Sequence, residues 1–311
     1  MSKYRFRYWM HFILTFAVIF GASNLHAWNV KGHSVIALKV YESLPKNTAE
    51  LYQKRAALLY KHYGTKGHLR NGGDQCVRHH EICFLGYWFD TVKGEPLNKL
   101  FQSSGGRIPA AFEQYENQIT ANWHYHNVFY HQESAEFFPN CARQNDGMLL
   151  KILPVLEDAM RDSKTPSEQA LLLSFAVHLL SDLHQPLHTI TSVDDSCNHD
   201  RGGNNQCMDK GKSKCKQSLH NYWDAGAGLF VQSGAETLPK TTQITGIKEF
   251  PYGRWLAENS GYASSIYHYF NELSGADYQI YAQKTSFQRS QLAVERISEW
   301  ASYFLTLEHK D

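Results

Sequence analysis

The sequence predicts an all-α protein built as a single helical domain, and three observations carry that expectation. Apolar residues recur at spacings of three and four over six separate segments, the alternation a strand needs is scarce, and no linker divides the chain. The stretch 198–216, rich in Gly, Asn, Lys and Cys, reads as a long loop, because the motifs on its two sides belong together chemically.

In chain order, the first element is a leader. Lys3, Arg5 and Arg7 precede an apolar run over 12–22 that is too short to span a bilayer. Residues 1–27 therefore read as a secretory signal peptide cut after Leu25-His26-Ala27, with an uncleaved anchor as the alternative. The mature domain, 28–311, would begin at Trp28 and be secreted or periplasmic. Helical periodicity then covers 35–44, 51–60, 149–160, 170–183, 255–273 and 290–307. Thr165 and Pro166 suit a helix start, since Pro at the first helical position loses no needed hydrogen bond, and Pro186 should end that helix.

Composition narrows the function. The chain has 31 Lys and Arg against 30 Asp and Glu, and removing the three leader cations leaves 28 against 30. A protein that grips polyphosphate through a broad basic surface should show a clear excess of Lys and Arg. A phosphate-handling role would thus need another source of positive charge, such as bound metal. The six cysteines, Cys76, Cys83, Cys141, Cys197, Cys207 and Cys215, are an even set behind a leader, which favours disulfides. Cys76 with Cys83 is the pairing expected first; a zinc site made with His79 and His80 competes with it.

The chemistry concentrates in Phe175-Ala-Val-His178-Leu-Leu-Ser-Asp182-Leu-His-Gln-Pro-Leu-His188. On a helix, His178 and Asp182 lie one above the other, spaced to hold one cation or bridge two. A carboxylate amid Leu, Val and Phe needs a partner, and either a metal or a hydrogen-bond network would serve. His220 and Asp224 repeat the spacing of four, and helix bundles build metal sites from such pairs on facing helices.

These motifs resemble the zinc-dependent single-strand nucleases typified by the fungal enzymes S-one and P-one. Trp28-Asn-Val-Lys-Gly-His33 matches the family's Trp-led amino terminus, Tyr87-Trp88-Phe89-Asp90 its Trp-Ala-Asp block, and Trp123-His124-Tyr125 its aromatic-His-aromatic block. The His178 to His188 stretch matches its longest motif, followed in order by Gly202-Gly203-Asn204 and His220 to Asp224. Trp255-Leu-Ala-Glu258-Asn-Ser260 is similar to a further helical block.

The resemblance implies the all-α fold of the phospholipase C and S-one/P-one type, with long loops and disulfides, and three zinc ions. Asp90, His124 and His178 would bind one ion. The Trp28 α-amine and carbonyl with His33 would bind a second, Asp182 would bridge the two, and His188, His220 and Asp224 would hold a third, more exposed ion. It also implies hydrolysis of single-stranded DNA and RNA to 5′-nucleotides, and removal of 3′-phosphates from nucleotides, by hydroxide generated at the zinc ions. Lys93 is the candidate cation at the phosphate, Tyr125 the face on which a base stacks, and Asn204 a phosphate donor. Asn127 stands where an Asp usually orients water, and an amide offers no negative charge there. The interval from Asp90 to His124 is about twice the family's usual length, so 94–121 is expected as a surface excursion near the site. His62, His68, His131 and His199 match no ligand position and are expected on the surface or in loops. Two other functions remain open: a zinc phospholipase C, which typically has Glu where Asp224 stands, and a secreted zinc-binding protein without catalysis.

Overall fold

The computed structural model describes residues 28–64, 73–209, 214–232, 238–241, 244–273 and 275–307; the expected leader and His68 lie outside them. The chain runs through α1 (Val30–Ser43), α2 (Lys46–Tyr63), α3 (Gly73–Arg78), α4 (His80–Thr91) and α5 (Leu97–Ser103). Strands β1 (Val128–His131) and β2 (Glu136–Phe137) follow, then α6 (Leu149–Asp162), α7 (Pro166–Leu183), β3 (Ile190–Val193), α8 (Leu219–Asp224) and α9 (Leu229–Gln232). The described chain closes with α10 (Tyr252–Ser260), α11 (Ala263–Glu272) and the long α12 (Gly275–Leu305).

Helix α7 is the centre of this arrangement. It starts on a reciprocal cap: Thr165 Oγ1 accepts from the Glu168 N–H at 3.2 Å, and the Glu168 carboxylate accepts from the Thr165 N–H at 3.1 Å. It stops short of Pro186, whose ring cannot continue the helical ladder. Every residue from Glu168 to Leu183 is buried, because α2, α4, α6 and α12 all pack against it. A helix enclosed on every side can hold His178 and Asp182 only if their polar atoms find partners inside the protein.

Two main apolar clusters divide the interior of the described residues, beside a small third one of Phe129, Cys141 and Val193. The larger joins α1, α2, α4, α6, α7 and the second half of α12. The smaller gathers Tyr130, Leu187, Ile190, Leu219, Trp223, Ile266, Tyr267 and Tyr278 around the strands, α8 and α11. This division explains why the single helix expected over 255–273 is two. The chain breaks at Gly261, a weak helix former, so Trp255 and Leu256 join the larger cluster while Ile266 and Phe270 join the smaller.

A three-stranded sheet in the order β2-β1-β3 was not expected from the sequence. β1 pairs antiparallel with β2 and parallel with β3, in a register that sets Val128 opposite Ile190. The segment 94–121 is also more than a surface excursion. Its Leu97, Leu100, Phe101 and Phe112 are buried in the larger cluster, with Phe101 edge-on to Phe175 and Phe112 stacked on Trp123.

All six cysteines are paired, as Cys76–Cys83, Cys141–Cys197 and Cys207–Cys215, which includes the expected first bridge and removes the competing Cys/His site. No described helix is long and apolar enough to cross a membrane.

Candidate metal centre

Four helices and two single turns bring the predicted ligands together. His33 comes from α1, Asp90 from the end of α4, and His178 and Asp182 from α7. His124 ends the 3-10 turn Ala121–His124, just before β1, and His188 ends the turn Pro186–His188, just before β3. The parallel pairing of β1 with β3 therefore holds these two turns side by side: the His126 N–H donates to the His188 carbonyl at 2.8 Å, and His188 Nδ1 donates to the His124 carbonyl at 2.6 Å. His220 and Asp224 come from α8, which Ser218 caps by accepting the Asn221 N–H.

The side chains form three groups of possible metal ligands: His33, His178 and Asp182; Asp90, His124 and His178; and His188, His220 and Asp224. Within each group the ligand atoms lie within 4.8 Å of one another. All eight residues are buried, and those of the third group are covered as fully as the rest, so the greater exposure expected there is not seen in its side chains.

Several features fit these residues to metal ions. Three ring nitrogens are committed to backbone carbonyls: His178 Nδ1 to Gly86 at 3.0 Å, His188 Nδ1 to His124, and His220 Nδ1 to Gly202 at 2.7 Å. Donating from Nδ1 leaves each Nε2 as a lone pair, the tautomer a metal requires. Those lone pairs turn toward carboxylate oxygens: His178 Nε2 is 3.5 Å from Asp182 Oδ2, His188 Nε2 3.7 Å from Asp224 Oδ1 and His220 Nε2 3.6 Å from Asp224 Oδ2. His33 Nε2, His124 Nε2, Asp182 Oδ1 and His220 Nε2 are buried without a hydrogen bond. A tetrahedral ion with bonds of about 2.1 Å sets its ligands about 3.4 Å apart. The third group matches that spacing, with Asp224 3.7 Å from His188 and 3.6 Å from His220.

Electrostatics leads to the same requirement. Burial, then His178 beside it, pushes His33 well below the ordinary imidazole range; His124 is lowered for the same two reasons. His178 is lowered to about 4 by burial, against the pull of Asp90. Burial lowers His220 although Asp224 opposes it. Asp182 is raised well above the usual carboxylate range by burial, then by Asp90 and Asp224, with Lys93 opposing. The cluster thus resists both protonated rings and crowded carboxylates, and divalent cations relieve both.

Two glycines make the geometry possible. A Cβ on Gly86 would come within 2.5 Å of the His33 carbonyl, so only Gly lets α4 approach α1 and offer its carbonyl to His178. Gly202 has φ +61, and a Cβ there would lie 2.3 Å from the Leu187 carbonyl. Its left-handed turn aims the carbonyl at His220.

Trp28 is pinned at this junction. Its indole N–H donates to the Ser181 carbonyl at 3.0 Å, and the next residue, Asn29, donates its N–H to the Asp224 carbonyl at 2.8 Å. Lys93, mostly buried, holds Asp90 Oδ1 at 2.8 Å. Tyr125 is half-buried, with its hydroxyl raised by burial and by Asp146. Asn127 is half-buried and anchored through its N–H to Asn145. Asn204 donates its amide to the Arg201 carbonyl at 2.8 Å, within the Gly-Gly-Asn turn.

Of the histidines expected on the surface or in loops, His62 is exposed and His199 half-buried. His131 differs: it sits buried in β1, paired with Asp195 at 3.2 Å, because β1 turns it under the loop after β3. Gln185 was not singled out from the sequence although it lies inside the long motif. Its amide donates to Asp224 Oδ1 at 2.6 Å and its oxygen accepts the Leu187 N–H, which orients the third group. A polar residue directly before a helix-ending Pro, between two ligands, was the available signal.

The family model described as S1/P1 Nuclease matches residues 28–244. The match begins at Trp28 and ends before α10, so the similarity noted at 255–260 lies beyond it. No curated protein matches the chain.

Proposed function

The chain belongs to the S1/P1 nuclease family, and from that membership we propose that it is a secreted or periplasmic, three-zinc phosphodiesterase. Its substrates are single-stranded DNA and RNA, cut to 5′-nucleotides, and 3′-nucleotides, stripped of their 3′-phosphate. The observation that carries this reading is the convergence of eight buried His and Asp side chains in three groups, with lone pairs facing one another at the spacing of a tetrahedral ion. Nitrogen and oxygen donors without thiolate are a set zinc accepts. Export is supported by three disulfides and by a family match that starts where the leader is expected to end.

When bound, zinc supplies the positive charge that acidifies water and draws electron density from phosphoryl oxygens. Asp90, His124 and His178 would hold one ion, His33 with the Trp28 amine and carbonyl a second, and His188, His220 and Asp224 a third. Asp182, facing both His33 and His124, would contribute to the first two. Water's oxygen bonds to phosphorus, the P–O3′ bond breaks, and a 5′-phosphate and a 3′-hydroxyl result. Lys93, paired with Asp90, would add a positive charge beside the phosphate. Asn127 orients water through its amide, and Asn204 uses its second amide N–H on a phosphate oxygen. Tyr125 offers a ring face for an unpaired base, worth about 1–3 kcal/mol per stacked base and inaccessible to a duplex.

Hydrolysis of single-stranded DNA, RNA, 3′-nucleotides, duplex DNA and phosphatidylcholine, with and without chelator, tests the proposal. Chelator-sensitive cleavage of the first three is the expected result. Cleavage of phosphatidylcholine alone would make the protein a lipase, and intact substrates throughout would leave a zinc-binding protein. Because the Trp28 amine exists only after leader removal, protein retaining one residue before Trp28 should lose most activity; full activity there rules that ligand out.

A further inference from the structure

The mature chain is almost neutral, yet its positive charge is unevenly placed. Between His199 and Gln217 there are five Lys and Arg against two Asp, with lysines alternating at 210, 212, 214 and 216. Lys210 and Lys212 lie outside the described residues. Lys214 and Lys216 are described and exposed, and so is Arg201.

This basic segment is fastened to the third ligand group at several points. The Cys207–Cys215 bridge closes its base. The Met208 N–H donates to the Gln217 carbonyl at 3.0 Å, and Cys207 pairs with Ser218 in an isolated antiparallel bridge. Ser218 is the cap of α8, so Lys216 stands four residues before His220 on a chain crosslinked just ahead of it. On the other side Arg201 directly precedes Gly202, whose carbonyl holds the His220 ring. Arg201 is also near enough to Tyr125 for its charge to oppose the rise of that hydroxyl. Cations carried on a backbone anchored next to these ligands lose less entropy on binding than lysines on a free loop.

We propose that Lys214 and Lys216, with Arg201, form an outer phosphate-binding surface for single-stranded nucleic acid, contacting backbone phosphates beyond the one at the metal centre. The proposal rests on the nuclease reading for the identity of the polyanion, but its test is a binding measurement. The surface supplies charge to a flanking strand, so a substrate with one or two phosphates does not reach it. Recognition is electrostatic and indifferent to base sequence.

The test uses the intact metal-loaded protein and cleavage-resistant phosphorothioate oligothymidylates, one of about 16 nucleotides and one of about 3, with affinity measured across a range of salt. K214Q/K216Q should weaken the longer strand by about 3–10-fold and make its log–log salt dependence shallower by about 1.4, since each single-strand phosphate contact contributes about 0.7. The short oligomer should change by less than about twofold, and K214R/K216R should bind the long strand like the parent protein. Unchanged affinity and slope for the long strand overturns the proposal, as does an equal loss on both lengths. Failure of the nuclease reading shows separately, as unmodified strands left intact by a protein whose binding still depends on these lysines.

Discussion

The two halves of the candidate metal centre are built in different ways. His33, His178 and Asp182 sit on long helices locked face to face, where a spacing of four and a central position in the bundle fix their directions. His188, His220 and Asp224 sit on a three-residue turn and a six-residue helix, and they are aimed by Gly202, Gln185 and the pairing of two four-residue strands, β1 and β3. Both halves end equally buried, so the difference is in what enforces the geometry. Packing of whole helices enforces it in the first, and a few specific hydrogen bonds and one left-handed turn do so in the second. The first half should therefore resist local changes around it and fail when a ligand is lost, while the second should fail at residues that are not ligands.

The largest effect should come from His178→Ala, because this ring belongs to two of the three ligand groups. Metal analysis should show the loss of the ion that His178 would hold with Asp90 and His124, weaker binding of the second because the ring also stacks on His33, and retention of the third, with activity down by about 10³-fold or more. Retention of all ions would contradict the assignment of His178 as a ligand. Asp182→Asn should follow, with an activity loss of about 10²–10³-fold.

The same substitution should have the opposite sign in chelated protein. The folded-state pKa of Asp182 is raised, so its ionised form costs stability at neutral pH, and that cost disappears as pH falls through the raised value toward the ordinary carboxylate range. Metal-free Asp182→Asn should thus melt above metal-free parent protein at neutral pH, with the gap closing on acidification. A gap independent of pH would contradict the rise at Asp182, which comes first from burial and then from Asp90 and Asp224.

In the second half, Gly202→Ala should destabilise the protein by about 2–4 kcal/mol and release the third ion first, through left-handed strain and the contact with Leu187. Gln185→Ala should be the mildest, lowering affinity at the third group about 10–100-fold while the bundle ions stay bound. Equal loss of all ions in Gln185→Ala would erase the distinction between the halves.

The same contrast decided what could be read in advance. His178 with Asp182, and His220 with Asp224, were legible because a period of 3.6 converts a spacing of four directly into proximity. The start of α7 at Thr165 and Pro166 was legible for a similar local reason, although the reciprocal bond from Glu168 was not read. The sheet was not, since strands of four residues carry too little alternation to stand out and their pairing joins residues about sixty apart in the chain. Nor was the core role of 94–121, because Leu97, Phe101 and Phe112 show their purpose only against Phe175 and Trp123. Gln185 and Gly86 act through hydrogen bonds to distant partners, and no spacing within their own segments reveals those partners.

The most direct test of the trinuclear reading is anomalous scattering at the zinc edge from crystals of the protein beginning at Trp28. Three peaks are expected: one among Asp90, His124 and His178, one between His33, Asp182 and the Trp28 backbone, and one among His188, His220 and Asp224. A map featureless at all three positions in metal-replete crystals, with ordered water bridging the same side chains, contradicts it.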